Sequence, residues 1–230
     1  MIPWDDDVYT THADLNEAKK IVYDKIGAIV ENVPGADPVL AFSCPSRKYF
    51  RHAIYPAYKA HRGGATKPPL VRRDLTEWAR GEFESWTRPG LEADDVLGIL
   101  MTSNKIIEGE KIVCSPDKDL LQIPGKRLRR DGVVSINSPE EAHYCLWLQV
   151  LMGDSTDGYP GCPKVGEVKA KKILFDADPK DYPRVAFEAF QKAGVEDTFE
   201  TMVNVARILT NRTYNFSKRE PILWQMSTLP

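Results

Sequence analysis

The chain has 230 residues, a formal net charge of −2, 42% hydrophobic residues and 28% charged residues. These values predict one globular domain with an appended lobe and argue against a protein that coats nucleic acid nonspecifically. The sequence has no run of about 18 apolar residues, and its first residues lack the pattern of a signal peptide. We therefore expect a cytoplasmic protein without a membrane segment, and a monomer.

The four cysteines argue against a zinc site and against a disulfide framework. Cys44, Cys114, Cys145 and Cys162 lie far apart without a CxxC pair, and the histidines show no metal-ligand spacing to them. Cys114 and Cys145 have apolar neighbours in the sequence. We expect both to be small core residues.

Helical periodicity alternates with short apolar runs along the first two thirds of the chain. This alternation predicts an α/β fold with a mostly parallel, helix-flanked sheet. In chain order the predicted elements are a helix over 12–31, a strand over 38–43, an excursion rich in Gly and Pro over 53–69, a helix over 70–83, a strand over 85–89, a helix over 90–104, a strand over 111–115 and a helix over about 138–152. Ligand sites of such sheets form at the carboxyl ends of strands. We therefore expect Cys44, Asp117 and Asp119 near one edge.

An acidic turn, GLEADD at 90–95, opens the predicted helix over 90–104. Glu92, Asp94 and Asp95 complement the positive end of a helix dipole, so a capped and solvated helix start is one interpretation. The other is a cation site, because like charges at i,i+3 spacing repel unless a cation offsets them. The sequence alone leaves both open.

Positive charge is concentrated in three places. Residues 47–80 carry nine basic residues and two acidic ones, KRLRR follows at 126–130, and Lys164, Lys169, Lys171 and Lys172 lie further along. A polyanion that contacts these segments would explain the pattern, and so would ordinary solvated faces.

A loop rich in Gly and Pro follows the helix that ends near 152. Asp154 and Asp157 flank its start, and a lysine-rich helix follows. A helix, a tight turn and a second helix can present backbone N–H groups to a phosphate backbone. A plain connection between two helices is the alternative.

Four motifs in order resemble the flap endonuclease and 5′-to-3′ exonuclease family, and most closely its short phage-type members. They are YKAHR at 58–62, GLEADD at 90–95, SPDKDLLQ at 115–122 and GDSTDGYPGCPKVG at 153–166. The resemblance implies a PIN-like 5′-nuclease fold, a metal-binding core over residues 1–152 with a basic arch-like segment over about 53–80, and a helical DNA-binding lobe with a C-terminal tail over 153–230.

The resemblance also implies hydrolysis of DNA assisted by two Mg²⁺ or Mn²⁺ ions, on duplex or flapped DNA or on an RNA–DNA hybrid. Hard cations prefer oxygen ligands, which fits carboxylates without histidine. By analogy Glu92 and Asp94 would bind the first ion and Asp117, Asp119 and Asp154 the second. Asp95 and Asp157 would bind directly or through water.

The same likeness assigns roles to basic residues. Lys59 and Arg62 would lie at the base of the arch and act on the scissile phosphate. A helix-three-turn-helix would grip duplex DNA and could hold a potassium ion on its backbone. The residues implied in DNA binding are Tyr58, Lys164, Lys169, Lys171 and Lys172.

The sequence departs from the family pattern at four places. The family begins with a strand bearing a metal-binding Asp-Gly-Asp segment, whereas this sequence opens at what resembles the segment after it. Ser43 and Cys44 stand where another acid is usual, Lys164 replaces a turn glycine, and Gly158-Tyr159 replaces an Asn-Ile pair. We therefore expect either an upstream strand with an acidic pair or weak binding of the first metal and a feeble nuclease.

Two other functions compete with the nuclease. A first metal site with fewer carboxylates than is usual in the family would suit a structure-specific DNA-binding protein with little or no nuclease activity. The sequences DKD at 117–119 and GDSTD at 153–157 superficially resemble motifs of haloacid dehalogenase phosphatases, but Ser115 and Pro116 separate the first acid from its strand. The order of the four motifs favours the nuclease.

Overall fold

The computed structural model describes residues 13–63 and 69–229, and their contacts form two compact units. One unit lies within residues 1–40 and 64–85, and the other comprises residues 41–63 and 86–230. Lys67 of the predicted basic segment and the first residue of the predicted helix over 12–31 fall outside the described residues. These units do not follow the predicted boundary near residue 152, which stays a prediction.

The helices predicted from periodicity are present, with ends shifted by a few residues. In the described residues the α-helices are α1 (Leu15–Glu31), α2 (Phe50–Ile54), α3 (Arg72–Glu82), α4 (Ala93–Thr102), α5 (Pro139–Met152), α6 (Glu167–Phe175), α7 (Tyr182–Ala193) and α8 (Phe199–Ala206). Short 3₁₀ helices lie at Ala60–Gly63, Lys118–Gln122, Pro179–Asp181, Glu196–Thr198 and Met226–Thr228. No helix of the described chain is long and apolar enough to cross a membrane.

Within residues 13–63 and 69–229 the strands are short and form three small sheets. They are β1 (Val39–Ala41), β2 (Glu84–Trp86), β3 (Ile112–Cys114), β4 (Gly125–Leu128), β5 (Val134–Asn137), β6 (Tyr214–Asn215) and β7 (Glu220–Pro221). β1 pairs with β2 in the first sheet, β3, β4 and β5 lie in that order in the second, and β6 pairs with β7 in the third. β3 and β4 are parallel, but β4–β5 and β6–β7 are antiparallel. The fold class is α/β as predicted, whereas the single, mostly parallel sheet is not observed in the described residues, because β4 and β5 pair as a hairpin that the periodicity does not indicate.

Local capping explains where several helices begin and end. The Asp14 side chain accepts hydrogen bonds from the first-turn amides of α1. Ser138 and Glu141 form a reciprocal capping box at the start of α5, and Pro139 occupies the first helical position. Gly194 ends α7 with φ 69°, a left-handed conformation that favours glycine.

The smaller unit packs α1 against α3 through aromatic side chains. The ring of Tyr23 lies 5.2 Å from that of Trp78 and 5.5 Å from that of Phe83. Edge and tilted ring contacts at this spacing are favourable. They account for the association of two helices that are about 40 residues apart in the sequence.

The larger unit has its main core among α5, α6, α7 and α8. Trp147, Phe190 and Phe199 are almost completely buried there, and Phe199 stacks on Trp147 at 6.0 Å between ring centres. The resemblance implies that α5 belongs to the first domain, but the buried face of α5 packs with the helices that follow it.

α4 lies close against the chain that follows α8. A methyl group on Gly98 would come within 2.2 Å of the Leu209 carbonyl oxygen, so glycine is required for this approach. Val96 and Leu100 of α4 pack with Leu209 in a second buried cluster. The segment after α8 therefore fixes the acidic helix in place.

All four cysteines are free in the structure. Cys44 and Cys162 are buried, whereas Cys114 is exposed and Cys145 is half-buried. The expectation that Cys114 is a core residue is therefore wrong. Cys114 is the last residue of β3, and its side chain points away from the buried face that holds Val113.

Candidate metal and DNA-binding site

The acidic turn is built into the first turn of α4. Glu92 is the N-cap residue, and its backbone N–H donates to Asp95 Oδ2 over 3.2 Å. The Ala93 N–H donates to the Ser43 hydroxyl over 3.0 Å, which places the chain after β1 beside this turn. Glu92 and Asp95 therefore cap the helix, which leaves the Asp94 side chain free of the capping interaction.

Asp95 is fully buried and forms a two-pronged ion pair with Arg51 of α2. Its carboxylate oxygens accept from the guanidinium over 2.6 and 2.8 Å, and Oδ1 also accepts from the Leu209 N–H over 3.1 Å. Both oxygens are therefore engaged inside the protein. This environment favours a structural role for Asp95, and its binding to a metal, directly or through water, stays a prediction.

Arg51 has further partners around Asp95. Its guanidinium donates to Glu92 Oε2 over 3.1 Å and to the carbonyls of Val205 and Arg207 over 2.9 and 2.7 Å. Burial by itself lowers the pKa of this guanidinium, but Asp95 and Glu92 raise it by more, so the charge is retained.

Glu92 is also held by the segment just after α2. Tyr58 donates from its hydroxyl towards Glu92 Oε2 at 2.7 Å and Asp157 Oδ2 at 2.9 Å, and Lys59 forms an ion pair with Glu92. Burial and these carboxylates raise the pKa of Tyr58, which keeps its hydroxyl protonated. Tyr58 is 2% exposed. Its ring and hydroxyl are enclosed in this structure, and its contact with DNA stays a prediction.

Lys59 and Arg62 lie over the loop that contains Asp157. The Lys59 N–H donates to the Asp157 carbonyl over 2.8 Å, and its ammonium lies 3.3 Å from the Asp157 carboxylate. Arg62 donates to that carboxylate over 2.8 Å and to the Thr156 carbonyl over 2.7 Å. Lys59 has φ 53°, an uncommon backbone conformation for a residue other than glycine. The structure thus brings both predicted basic residues to the acidic site.

A second set of carboxylates has little positive charge beside it. Burial raises the pKa of Asp94 to about 7, and the carboxylates of Asp117 and Glu92 add to the rise. Burial likewise raises the pKa of Asp119 to about 6, with contributions from Asp117 and Asp154. Residues from α4, from the turn after β3 and from the loop after α5 therefore lie close enough to influence one another's pKa values.

The loop after α5 depends on two glycines for its shape. Gly153 and Gly161 have φ of 69° and 63°, and a methyl group on Gly161 would lie 2.2 Å from the Gly153 nitrogen. Asp154 closes the loop, because its Oδ1 accepts from the N–H groups of Thr156 over 2.7 Å and of Asp157 over 3.2 Å. This geometry places the Asp154 carboxylate near the second set of carboxylates.

The second set of carboxylates suits a hard divalent cation by its chemistry. Its donors are oxygens, and the pKa values of Asp94 and Asp119 stay raised although Lys59 and Lys118 partly offset the negative charge. Within the described residues, no group of three or more His, Cys, Asp or Glu side chains is already gathered closely enough to hold an ion. The carboxylate oxygens of Asp94, Asp117, Asp119 and Asp154 are the donor type that such a cation prefers.

The predicted DNA-binding lysines lie on α6 and in the loop before it. Lys164 has φ 60° where the family usually has a turn glycine, and it is exposed. Lys169, Lys171 and Lys172 are exposed on α6, and Lys171 pairs with Glu167 over 2.6 Å. Their contact with DNA stays a prediction.

Several residues that shape the site are absent from the sequence predictions. Arg51 has no predicted role of its own, because its side-chain partners lie 41 and more positions away. Arg127 of the basic run donates to the carbonyls of Ser115 and Asp117 over 3.4 and 3.3 Å. Gln149 contacts Asp119, and a polar residue within the apolar run WLQVLM is the available signal.

Comparison with known proteins decides the family. Residues 10–142 match the family described as 5′-3′ exonuclease, N-terminal resolvase-like domain. The chain belongs to the 5′-3′ exonuclease family. The resemblance seen in the four motifs is thereby confirmed, and the family match favours a nuclease over a phosphatase.

Two of the similar curated proteins come from phages. The chain is 31% identical to an exodeoxyribonuclease of Enterobacteria phage T3 over 172 residues, which are 71% of this chain and 56% of the relative. It is 27% identical to an exonuclease of Escherichia phage T7 over a match that covers 96% of this chain and 86% of the relative. The phage-type character expected from the sequence is confirmed.

Solved structures of a phage T5 nuclease share the fold. A mutant of the T5 5′-exonuclease matches with a TM-score of 0.59 and 14% identity over 82% of this chain and 81% of that chain. The T5 flap endonuclease solved in a complex with DNA and metal ions matches with a TM-score of 0.55 and 13% identity over 82% and 84%. At this identity the likeness establishes the fold alone.

We predict that the neighbours Asp94 and Asp95 respond oppositely to loss of charge. Without metal, the raised pKa of Asp94 means that its ionised form destabilises the folded state increasingly from about pH 4 to pH 7. Asp94→Asn should therefore be more stable than the parent at pH 8 by at least ~1 kcal/mol, and this gain should vanish near pH 4. Asp95→Asn should lose about 3–5 kcal/mol, because Arg51 is left buried without its main partner.

Urea unfolding in the presence of EDTA at pH 8 and pH 4 measures both effects. The two variants are matched, since they are adjacent and change the same atoms. Effects of the same sign at pH 8 would contradict the assignment of Asp95 to the fold and Asp94 to the cation site.

Proposed function

We propose that the chain is a cytoplasmic, monomeric 5′-to-3′ exonuclease or flap endonuclease that hydrolyses phosphodiester bonds at 5′ ends or flaps of duplex DNA, with RNA–DNA hybrids as a further substrate. The observation that carries the proposal is the convergence of Asp94, Asp117, Asp119 and Asp154 beside Lys59 and Arg62. Family membership supplies the reaction class.

Asp94, Asp117, Asp119 and Asp154 would hold Mg²⁺ or Mn²⁺. When bound, such ions activate water and stabilise the leaving oxygen of a phosphodiester. The residues would contribute an oxygen-lined site, in which the mutual repulsion of Asp94, Asp117 and Asp119 favours cation binding. Glu92 and Asp157 are also predicted ligands, and in the structure each is already paired with basic side chains.

Lys59 and Arg62 would orient the scissile phosphate. Both reach the acidic site from the segment after α2, and their charges are partly offset by Glu92 and Asp157. A positively charged side chain that is already in position stabilises the negative charge that develops on the phosphate, and it does not have to reorganise during the reaction. The arch-like segment over 53–80 would guide the 5′ end towards them.

The loop at 160–166 and α6 would bind the duplex away from the cut. A turn followed by a helix start and the exposed lysines suit contacts with a phosphate backbone. This corresponds to the helix-three-turn-helix expected from the family, and a potassium ion on the loop carbonyls belongs to the same proposal.

A second candidate is a DNA-binding protein with weak nuclease activity. It is favoured by one observation, that Glu92, Asp95 and Asp157 are all engaged by Arg51, Lys59, Arg62 or Tyr58 and so leave few carboxylates for a first ion. Cleavage and binding assays on the same 5′-flap duplex separate the two functions, because this candidate binds the duplex without Mg²⁺-dependent cleavage.

We predict that Asp117→Ala or Asp119→Ala abolishes Mg²⁺-dependent cleavage of a labelled 5′-flap duplex while the protein stays folded. Both residues follow β3, and their side chains face other carboxylates and not the core. Asp131→Ala is the matched control, since Asp131 is an exposed aspartate in the β4–β5 turn that pairs with Arg129. Equal rates for Asp117→Ala, Asp119→Ala and the parent would refute their role.

Lys59→Ala should lower kcat by roughly 10²-fold or more with a much smaller change in Kd for DNA, because the proposed interaction of Lys59 with the scissile phosphate strengthens as negative charge develops in the transition state.

The triple variant K169A/K171A/K172A should instead weaken DNA binding and flatten its salt dependence, by roughly 0.9 in log–log slope for each phosphate that is no longer neutralised. K20A/K25A/K180A removes three exposed lysines elsewhere and should keep the parent slope. A parental slope in the first triple variant would exclude α6 from the DNA interface.

A further inference from the structure

We propose that Gln149 and Gln122 form a hydrogen-bond relay that orients the Asp119 carboxylate, which makes both of them positioning residues for the cation site. This inference rests on the proposed function, because it assigns Asp119 to a divalent cation. It adds the side chains of α5 and of the end of a 3₁₀ helix to the residues that support the cation.

The relay runs through three side chains to the backbone after α8. Gln149 donates from Nε2 to Asp119 Oδ1 and accepts at Oε1 from Gln122 Nε2. Gln122 Nε2 also donates to the Ala206 carbonyl over 2.9 Å, and Gln122 Oε1 accepts from the Ile208 N–H over 3.0 Å. Each amide group of the relay is therefore bonded on both its nitrogen and its oxygen.

The backbone fixes the direction of the relay. An amide side chain can usually be turned over to exchange its nitrogen and oxygen. Gln122 cannot, because the Ile208 N–H can only donate and the Ala206 carbonyl can only accept. Gln122 must then present N–H to Gln149, and Gln149 must present N–H to Asp119. Asp119 consequently receives a donor at Oδ1.

Burial makes this arrangement costly to disrupt. Gln122 is 8% exposed, and a buried amide that loses its hydrogen-bond partners destabilises the fold. Gln149 is carried by α5 between Trp147 and Val150, both of which are almost completely buried. Gln149, the residue of the relay that contacts Asp119, therefore lies on a well-packed helix and not on a loop.

The relay counteracts the repulsion within the carboxylate set. Asp117 and Asp154 repel the ionised Asp119, and a donor at Oδ1 holds its carboxylate in place and leaves Oδ2 to a cation. The Asp119 N–H in turn donates to Asp117 Oδ1 over 2.9 Å. Fixing Asp119 therefore also fixes its neighbour in the turn. Partners that orient metal ligands in this way typically change metal affinity about 10–100-fold when they are removed.

Calorimetric titration of the full chain with Mn²⁺ tests the relay without any cleavage. Q149M should weaken Mn²⁺ affinity at least ~10-fold, and Q122M should weaken it several-fold although Gln122 touches no carboxylate. The double variant Q122M/Q149M should bind Mn²⁺ no more weakly than Q149M alone, because both changes break one chain of hydrogen bonds. Q191M, at an exposed glutamine of α7, is the matched control and should behave as the parent. In cleavage assays Q149M should lower kcat with KM for DNA unchanged.

Three results would overturn the relay. Parental Mn²⁺ affinity in Q149M would remove Gln149 from the site while leaving the proposed function intact. Additive losses in the double variant would mean two independent structural effects. A parent that binds no Mn²⁺ would overturn the relay together with the metal site. Circular dichroism checks the fold of each variant, and Q149S gives the same comparison where Q149M does not fold.

Discussion

The buried ion pair between Arg51 and Asp95 is the interaction on which the rest of the site depends. Taking these charges out of water is costly, and the cost is offset because the guanidinium is bonded on every side, to two carboxylates and to the carbonyls of Val205 and Arg207. One guanidinium thereby joins α2, the start of α4 and the chain after α8. Removing either charge would leave the other unpaired in the interior, so the segments that carry the site are held together by a constraint that tolerates little change.

This constraint divides the acidic residues into two classes. Asp95, Glu92 and Asp157 lie against Arg51, Lys59 and Arg62, so their charge is used inside the protein to hold the α2 segment and the loop after α5 in place. Asp94 and Asp119 have pKa values raised by burial and by other carboxylates. Basic side chains offset the charge of the first class, whereas the acids of the second class repel one another, which favours a cation there. Alternation of the two classes along GLEADD lets a single helix turn serve both the fold and the site.

Local features of the fold and the site can be predicted from the sequence, and long-range ones cannot. Acids, glycines and apolar spacing mark the start of α4, the turn after β3 and the loop at 153–161 within a few residues of each feature. The pairing of Asp95 with Arg51 could not be predicted, since Arg51 lies 44 positions earlier in a segment whose composition indicates basic surface. The burial of Tyr58 could not be predicted either, because the cluster that contains it includes helices more than 80 residues away. The β4–β5 pairing and the contact of Gln149 with Asp119 also depend on packing that no short motif encodes.

Anomalous diffraction from crystals of the full chain grown with Mn²⁺ tests the division of the acids most directly, because it locates each bound ion independently of activity. We expect Mn²⁺ within coordination distance of carboxylates from the set Asp94, Asp117, Asp119 and Asp154, with Asp95 still paired to Arg51 and binding no ion. An ion coordinated by Asp95, or Mn²⁺ absent from all four of the other carboxylates at saturating concentration, would contradict this division.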